Sequence, residues 1–294
     1  MSLLEVSGLR VVYRKRAGGP ARARDVVAVD DVSISVDAGQ AVGLVGASGA
    51  GKSSVAKAIL HLVPVQRGQI TAGEHQVTAF GRRAPLPFRK DVQMVFQDPS
   101  SSLNPAWTVA DIVAEPLRIH FDPPREHRSR RTAELLDAVE LPTAVRERRP
   151  GDLSVGQRQR VAIARALATE PRLIVLDEPV SALDAATRDQ VVAVLARLQH
   201  DTNVAYLVIT HDITLAKRWC SHIAVMDGGR IVEQASANDL FGQPRHPFTK
   251  LLLASVLDPD PQTHQASRQR RRDLTTAQRR ALGDRRPALI RQVP

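Results

Sequence analysis

The sequence predicts an α/β fold: a mostly parallel sheet flanked by helices, with a helical block inserted into it. Three observations point there. Residues 46–53 read Gly-Ala-Ser-Gly-Ala-Gly-Lys-Ser, a complete phosphate-binding loop, set between an apolar run at 41–45 and a helical stretch at 52–62. Short apolar runs then alternate with helical periodicity, as parallel sheets require. From about 100 to 165 the alternation stops and helical spacing takes over.

Taken in order, residues 3–12 and 32–45 are rich in Val, Ile and Leu with turn residues between, and read as strands. The loop at 46–53 follows. Gly46, Gly49 and Gly51 let the backbone turn tightly, so that N–H groups around Ser48 point at phosphate oxygens. Lys52 supplies charge to the β- and γ-phosphates, and Ser53, with Ser54 beside it, opens a helix whose N-terminus faces them. Residues 70–77 and 92–96 continue the strand pattern, the latter ending in Gln97. The stretches 108–120 and 127–140 have helical spacing, separated by Asp122-Pro123-Pro124, and 154–168 is helical again. Residues 173–176 form an apolar run ending in Asp177-Glu178, 187–200 is helical, and 205–209 is a strand leading to His211.

An acid at a strand end holds Mg²⁺ beside the loop hydroxyl in phosphate-loop proteins, and Asp177 fits that role. Glu178 can polarise an attacking water. Alone, the dyad fits an ordinary strand-to-loop exit equally well; beside the phosphate loop it becomes specific. A lone histidine after a strand is usually structural, but a strand adjacent to that of Asp177 would bring His211 to the γ-phosphate. Gln97 has the same geometry and could reach Mg²⁺ or the water.

Composition sets bounds. The 294 residues suffice for one large domain or two modest ones. No apolar run is long enough to span a membrane, and the first residues lack the pattern of a secretion signal, so a cytoplasmic protein is expected. Cys220 is the sole cysteine, which excludes an intrachain disulfide and a cysteine-built cluster. The net charge of +10 is concentrated: residues 257–294 hold nine Arg against four Asp, and Arg14, Lys15, Arg16, Arg22 and Arg24 form a second patch. Both read as flexible surface segments; attraction to anionic lipid or RNA is the sharper alternative. Aromatics are 3% of the chain, so base stacking has no support and no nucleic-acid partner is expected.

Leu153-Ser154-Val155-Gly156-Gln157 resembles the LSGGQ signature of ABC-type ATPases. The rest of that family's motif set stands in order: phosphate loop 46–53, glutamine loop at Gln97, acids Asp177 and Glu178, D-loop 181–184 ending in Asp184, and switch histidine His211. Tyr13 sits where the family stacks an aromatic on adenine. The resemblance covers residues 1 to about 255. It implies a RecA-like core with an antiparallel β subdomain and the inserted helical subdomain, ATP and Mg²⁺ as ligands (the metal on Ser53, Gln97 and Asp177), and a head-to-tail dimer. In that dimer Ser154, Gly156, Gln157 and Asp184 serve the nucleotide of the facing subunit.

Phe96-Gln97-Asp98-Pro99, Ser102-Leu103-Asn104-Pro105 and 244–252, with His-Pro-Phe-Thr at 246–249, are similar to the oligopeptide, dipeptide and nickel importer branch. That implies an ATPase domain over 1–257 followed by a basic tail at 258–294. It also implies two membrane permeases, a second ATPase subunit, an extracytoplasmic substrate-binding protein, and a peripheral position on the cytoplasmic face of the membrane. Val155 departs from the signature glycine, Phe248 replaces the usual Tyr, and the cysteines some members carry near the C-terminus are missing. The competing expectations are an accessory ATPase of a soluble enzyme complex of the phosphonate-cleaving type and an ABC ATPase acting on nucleic acid or ribosomes. The second fits poorly: only about 100 residues separate loop from signature, without sustained heptads.

Overall fold

In the computed structural model, residues 2–15 and 24–255 are described. They form two sheets. β1 (Ser2–Lys15), β2 (Arg24–Asp37), β4 (Arg67–Ala72) and β5 (His75–Gln76) make an antiparallel sheet in the order β2-β1-β4-β5. β3 (Ala41–Gly46), β6 (Val92–Val95), β7 (Leu173–Asp177), β8 (Ala205–Thr210), β9 (His222–Asp227) and β10 (Arg230–Ser236) make the second, in the order β10-β9-β3-β8-β7-β6. All its pairings are parallel except β9–β10.

The apolar stretch at 32–45 is shared between two strands. A turn at 38–40, closed by the Gln40 N–H donating to the Asp37 carbonyl at 3.1 Å, sends β2 into one sheet and β3 into the other. The run at 70–77 likewise folds back, at Gly73, into β4 and β5. The basic patch is corrected in part. Arg14 and Lys15 belong to β1 and Arg24 to β2, and the ladder pairs Arg14 with Asp25 and Lys15 with Arg24. Strand pairing, not charge, decides that stretch. Arg16, Arg22 and the 258–294 tail lie outside the described residues.

Helices cover the parallel sheet. α1 (Lys52–Ile59) follows β3, and α2 (Leu86–Asp91) precedes β6. The helical block comprises α3 (Pro99–Ser102), α4 (Val109–His120), α5 (Arg125–Ala138) and α6 (Val155–Leu167). α7 (Ala185–Thr202) and α8 (Ile213–Trp219) return to the sheet, and α9 (Ala237–Gly242) and α10 (Pro247–Ala254) close the described chain.

The central strands read as continuous apolar runs because both faces are buried. Ile174, Leu176, Tyr206 and Val208 point into one core, with α4 to α7. Leu173, Val175, Leu207 and Ile209 point into another, beneath α1 and the antiparallel sheet. Asp30 ties the sheets together: it holds Arg10 at 2.6 Å and Arg230 on β10, while its N–H donates to the Gly229 carbonyl at 2.8 Å. Gly229 in turn donates to the Ala50 carbonyl at 3.0 Å, so the β9–β10 hairpin braces the phosphate loop. At the far end, Glu233 accepts the N–H groups of Arg245 and His246 at 2.8 and 2.9 Å, fixing the 246–249 element.

Candidate nucleotide site

The parallel register puts the carboxyl ends of β3, β8, β7 and β6 side by side, where open α/β sheets bind ligands. Val45 pairs with Thr210, Asp177 with Ile209, and Val95 with Leu176. Gln97 and His211, just beyond these ends, therefore come within hydrogen-bond reach of Glu178. β8 lies between β3 and β7, which is how His211 arrives beside Glu178.

The loop from Gly46 to Ser54 is pressed against its own fold. A Cβ on Gly46 would stand 2.1 Å from the Met226 carbonyl oxygen, and one on Gly51 2.2 Å from that of Ala28, with φ at 103°. Neither position admits a side chain. Ser48 and Gly49 form the exposed crest of the loop. α1 starts at Lys52 with no side-chain cap and no acid in its first turn; the Ser54 and Val55 N–H groups donate to the Gly51 carbonyl at 3.0 and 3.1 Å, which leaves those of Lys52 and Ser53 to meet an anion. Buried Lys52 turns its ammonium onto the carbonyls of Gly46 and Ala47 at 2.8 and 3.0 Å. Burial lowers its pKa, and the nearby charges of Glu178 and Asp177 counter that. Tyr13, on β1, hydrogen-bonds Ser54 at 3.3 Å and so stands beside the start of α1.

Ser53 donates to Asp177 at 3.3 Å. Asp177 is 6% exposed. Burial raises its carboxyl; the Ser53 hydroxyl pulls it down, Glu178 pushes it up, and Lys52 pulls it down, with the net direction upward. A buried carboxylate of this kind, paired with a hydroxyl, is a hard oxygen donor set suited to a small divalent cation. Among the described residues no group of three or more His, Cys, Asp or Glu is arranged to hold a metal by itself.

Glu178 is held at both oxygens. His211 Nδ1 lies 3.2 Å from Oε1, and Gln97 Nε2 donates to Oε2 at 3.2 Å. Its backbone is left-handed, φ 48°, anchored by its N–H donating to the Ile209 carbonyl at 2.8 Å. Its carbonyl accepts from the Ser181 hydroxyl at 3.2 Å.

The signature residues stand apart. Ser154 caps α6 in a reciprocal pair: its hydroxyl accepts the Gln157 N–H at 3.2 Å while the Gln157 side chain accepts the Ser154 N–H at 3.0 Å. Asp184 caps α7, accepting the Thr187 N–H at 3.0 Å and hydroxyl at 2.7 Å, which hold its carboxyl below the usual range. Gly156 is buried against Thr187. Ser154, Val155, Ser181, Ala182 and Asp184 are exposed. Among the described residues no hydrogen bond or ion pair joins 153–157 or 181–187 to the phosphate loop.

Sequence reasoning passed over Asp212. It caps α8, accepting the N–H groups of Thr214 and Leu215 at 2.9 and 3.1 Å, and its own N–H donates to the Thr210 hydroxyl at 3.0 Å. An Asp just ahead of a helical run was the available signal.

Residues 29–181 match the ABC transporter family, and residues 232–283 match the oligopeptide/dipeptide transporter C-terminal region, a match that runs past 257. The oligopeptide transport ATP-binding protein OppF of Lactococcus lactis subsp. lactis (strain IL1403) is 44% identical over 86% of this chain and 80% of its own. The OppF of Bacillus subtilis (strain 168) is 44% identical over 80% and 78%. The glutathione import ATP-binding protein GsiA of Salmonella paratyphi A (strain ATCC 9150 / SARB42) is 40% identical over 90% of this chain and 43% of its own. The dimeric structure of MJ0796, a bacterial ABC transporter cassette, aligns with TM-score 0.70 at 28% identity, covering 80% of this chain and 98% of that one. A dimeric post-hydrolysis state of MJ0796 bound to ADP and Pi gives the same TM-score at 27% identity, covering 80% and 98%. The chain belongs to the ABC transporter family of ATPases.

Proposed function

We propose that this chain is the ATP-hydrolysing subunit of an importer for peptides. It would work with two membrane permeases, a second ATPase subunit and an extracytoplasmic binding protein, on the cytoplasmic face of the membrane. Among the described residues no helix is long and apolar enough to cross a membrane, which agrees with partners supplying the path. The relatives named for oligopeptide and glutathione import favour a cargo with peptide bonds over nickel. The match of 232–283 to the oligopeptide/dipeptide transporter C-terminal region favours an importer over an accessory ATPase of a soluble complex.

The observation that carries the reading is Glu178, gripped at both oxygens beside the phosphate loop. In the proposed reaction Lys52 and the N–H groups of 46–54 hold the phosphates, and Tyr13 stacks on adenine. Ser53, Asp177 and Gln97 would hold Mg²⁺, which offsets phosphate charge when bound. Glu178 accepts a proton from water as its oxygen bonds to the γ-phosphorus. The bond to the β-phosphate oxygen breaks, leaving ADP and phosphate. His211 and Gln97 keep the carboxylate aimed. The facing subunit lends Ser154, Gly156, Gln157 and Asp184, and their exposure here supports that use.

The test is reconstitution of the full importer in proteoliposomes with Mg-ATP. Peptide accumulation that depends on ATP is expected; ATP-driven uptake of nickel without peptide would overturn the cargo. A structure of the ATP-bound complex with the facing Ser154 far from the terminal phosphate would overturn the shared site.

A further inference from the structure

We infer that Arg188 is a positioning residue for hydrolysis, strapping the loop after β7 to the loop after β8. This deepens the reading of Glu178 and His211 given above and rests on it. The Arg188 guanidinium reaches two ways. One nitrogen lies 3.4 Å from Asp212 Oδ2 and the other 3.4 Å from the Leu183 carbonyl. Leu183 belongs to the loop that leaves Glu178 and ends at the α7 cap, Asp184. Asp212 is the neighbour of His211, and its other oxygen is committed to the first turn of α8.

The geometry has three consequences. First, Asp212 is fixed in direction by its helix and by Thr210, so a pull by Arg188 on Oδ2 moves the backbone that carries His211. Second, Asp184 sits on the exposed edge where a facing subunit would press, while its buried neighbour Leu183 offers its carbonyl to the guanidinium, so a shift of that edge is passed through Arg188 to His211. Third, the Arg188 Nε is buried without a hydrogen-bond partner among the described residues, and both bonds are at the long end of the range. A planar fork with one donor unsatisfied gains by a small rearrangement of the loops around it. A second ion pair, Arg218 with Asp189 at 2.8 Å, joins the same two helices farther from the site and supplies a control.

The experiment measures ATPase kinetics of the assembled transporter carrying Arg188→Ala, Asp212→Asn, the double variant, Asp189→Asn or Glu178→Gln. Asn keeps an oxygen for the α8 cap while removing the charge, so Asp212→Asn covers the case in which Arg188→Ala folds poorly. Arg188→Ala and Asp212→Asn are each expected to lower kcat about tenfold with the KM for ATP within about twofold. The double variant should be no slower than the slower single, and Asp189→Asn should match the wild type. Unchanged kcat in Arg188→Ala, additive losses in the double variant, or an equal loss in Asp189→Asn overturns the strap. If Glu178→Gln keeps full turnover, the assignment of the site fails and the strap with it. If Glu178→Gln is inactive while Arg188→Ala is normal, only the strap fails.

Discussion

Replacing Gly156 by Ala tests whether the signature glycine is held by packing within the subunit. The added Cβ would stand 2.4 Å from Thr187 Cγ2, well inside the roughly 3.5–4 Å of an ordinary carbon contact. Thr187 cannot easily turn away. It is β-branched, and its hydroxyl is tied to Asp184 at 2.7 Å. Overpacking of this kind costs about 1–3 kcal/mol. Alanine recovers about 0.5–1 kcal/mol of helix propensity over glycine. The difference leaves a net loss of about 0–2.5 kcal/mol, centred a little above about 1 kcal/mol, or about 2–4 °C in Tm at that central value. Thr187→Ser deletes the offending methyl and keeps the hydroxyl. The nearest atoms to the new Cβ are then the residue-187 Cβ at 3.8 Å and Leu183 Cδ2 at 4.0 Å, ordinary contacts. Thermal unfolding of the four proteins settles the matter. Gly156→Ala should melt below wild type, and Gly156→Ala/Thr187→Ser should melt at or above Thr187→Ser alone. A Gly156→Ala protein as stable as wild type, or a double variant as unstable as the single, would refute the reasoning.

Glu178→Gln should retain ATP binding by equilibrium dialysis and lose about 10²–10⁴-fold in turnover, the usual worth of a general base; a fully active variant removes Glu178 from its role. Asp177→Asn should raise the Tm of nucleotide-free protein at neutral pH, because the folded-state pKa of this carboxyl is raised and its ionised form is the strained one. The gain should shrink as pH falls through the raised folded-state pKa and vanish below the ordinary carboxylate range, where both states are protonated; a lower Tm at neutral pH contradicts the assignment. Val155→Gly should leave the ATPase rate of the assembled transporter unchanged or higher, since Val155 is exposed at the first turn of α6; a large loss would mean that the valine is tuned to its partner.

Motifs set at strand ends were legible because the chemistry constrains both the residue type and its position. Gln97, Asp177, Glu178 and His211 each follow an apolar run, and the parallel register brings them to one crevice. What escaped was decided by contacts between distant segments. β2 begins at Arg24, among charges and small residues, because β1 is there to pair with it. β9, β10, α8 and α9 were not read at all, and α10 was read only as the 246–249 motif and not as a helix. β10 is half exposed with no clean alternation, and α9 is six residues long. The burial of Gly156 on Thr187 and the reach of Arg188 to Asp212 join residues 31 and 24 apart, where no spacing rule applies.

Glu178 adopts a backbone conformation in which glycine or asparagine would be more comfortable by about 1–2 kcal/mol. The cassette is therefore wound slightly against itself at the residue proposed above to activate water. Relaxing that residue to glycine would yield a sturdier and catalytically silent protein.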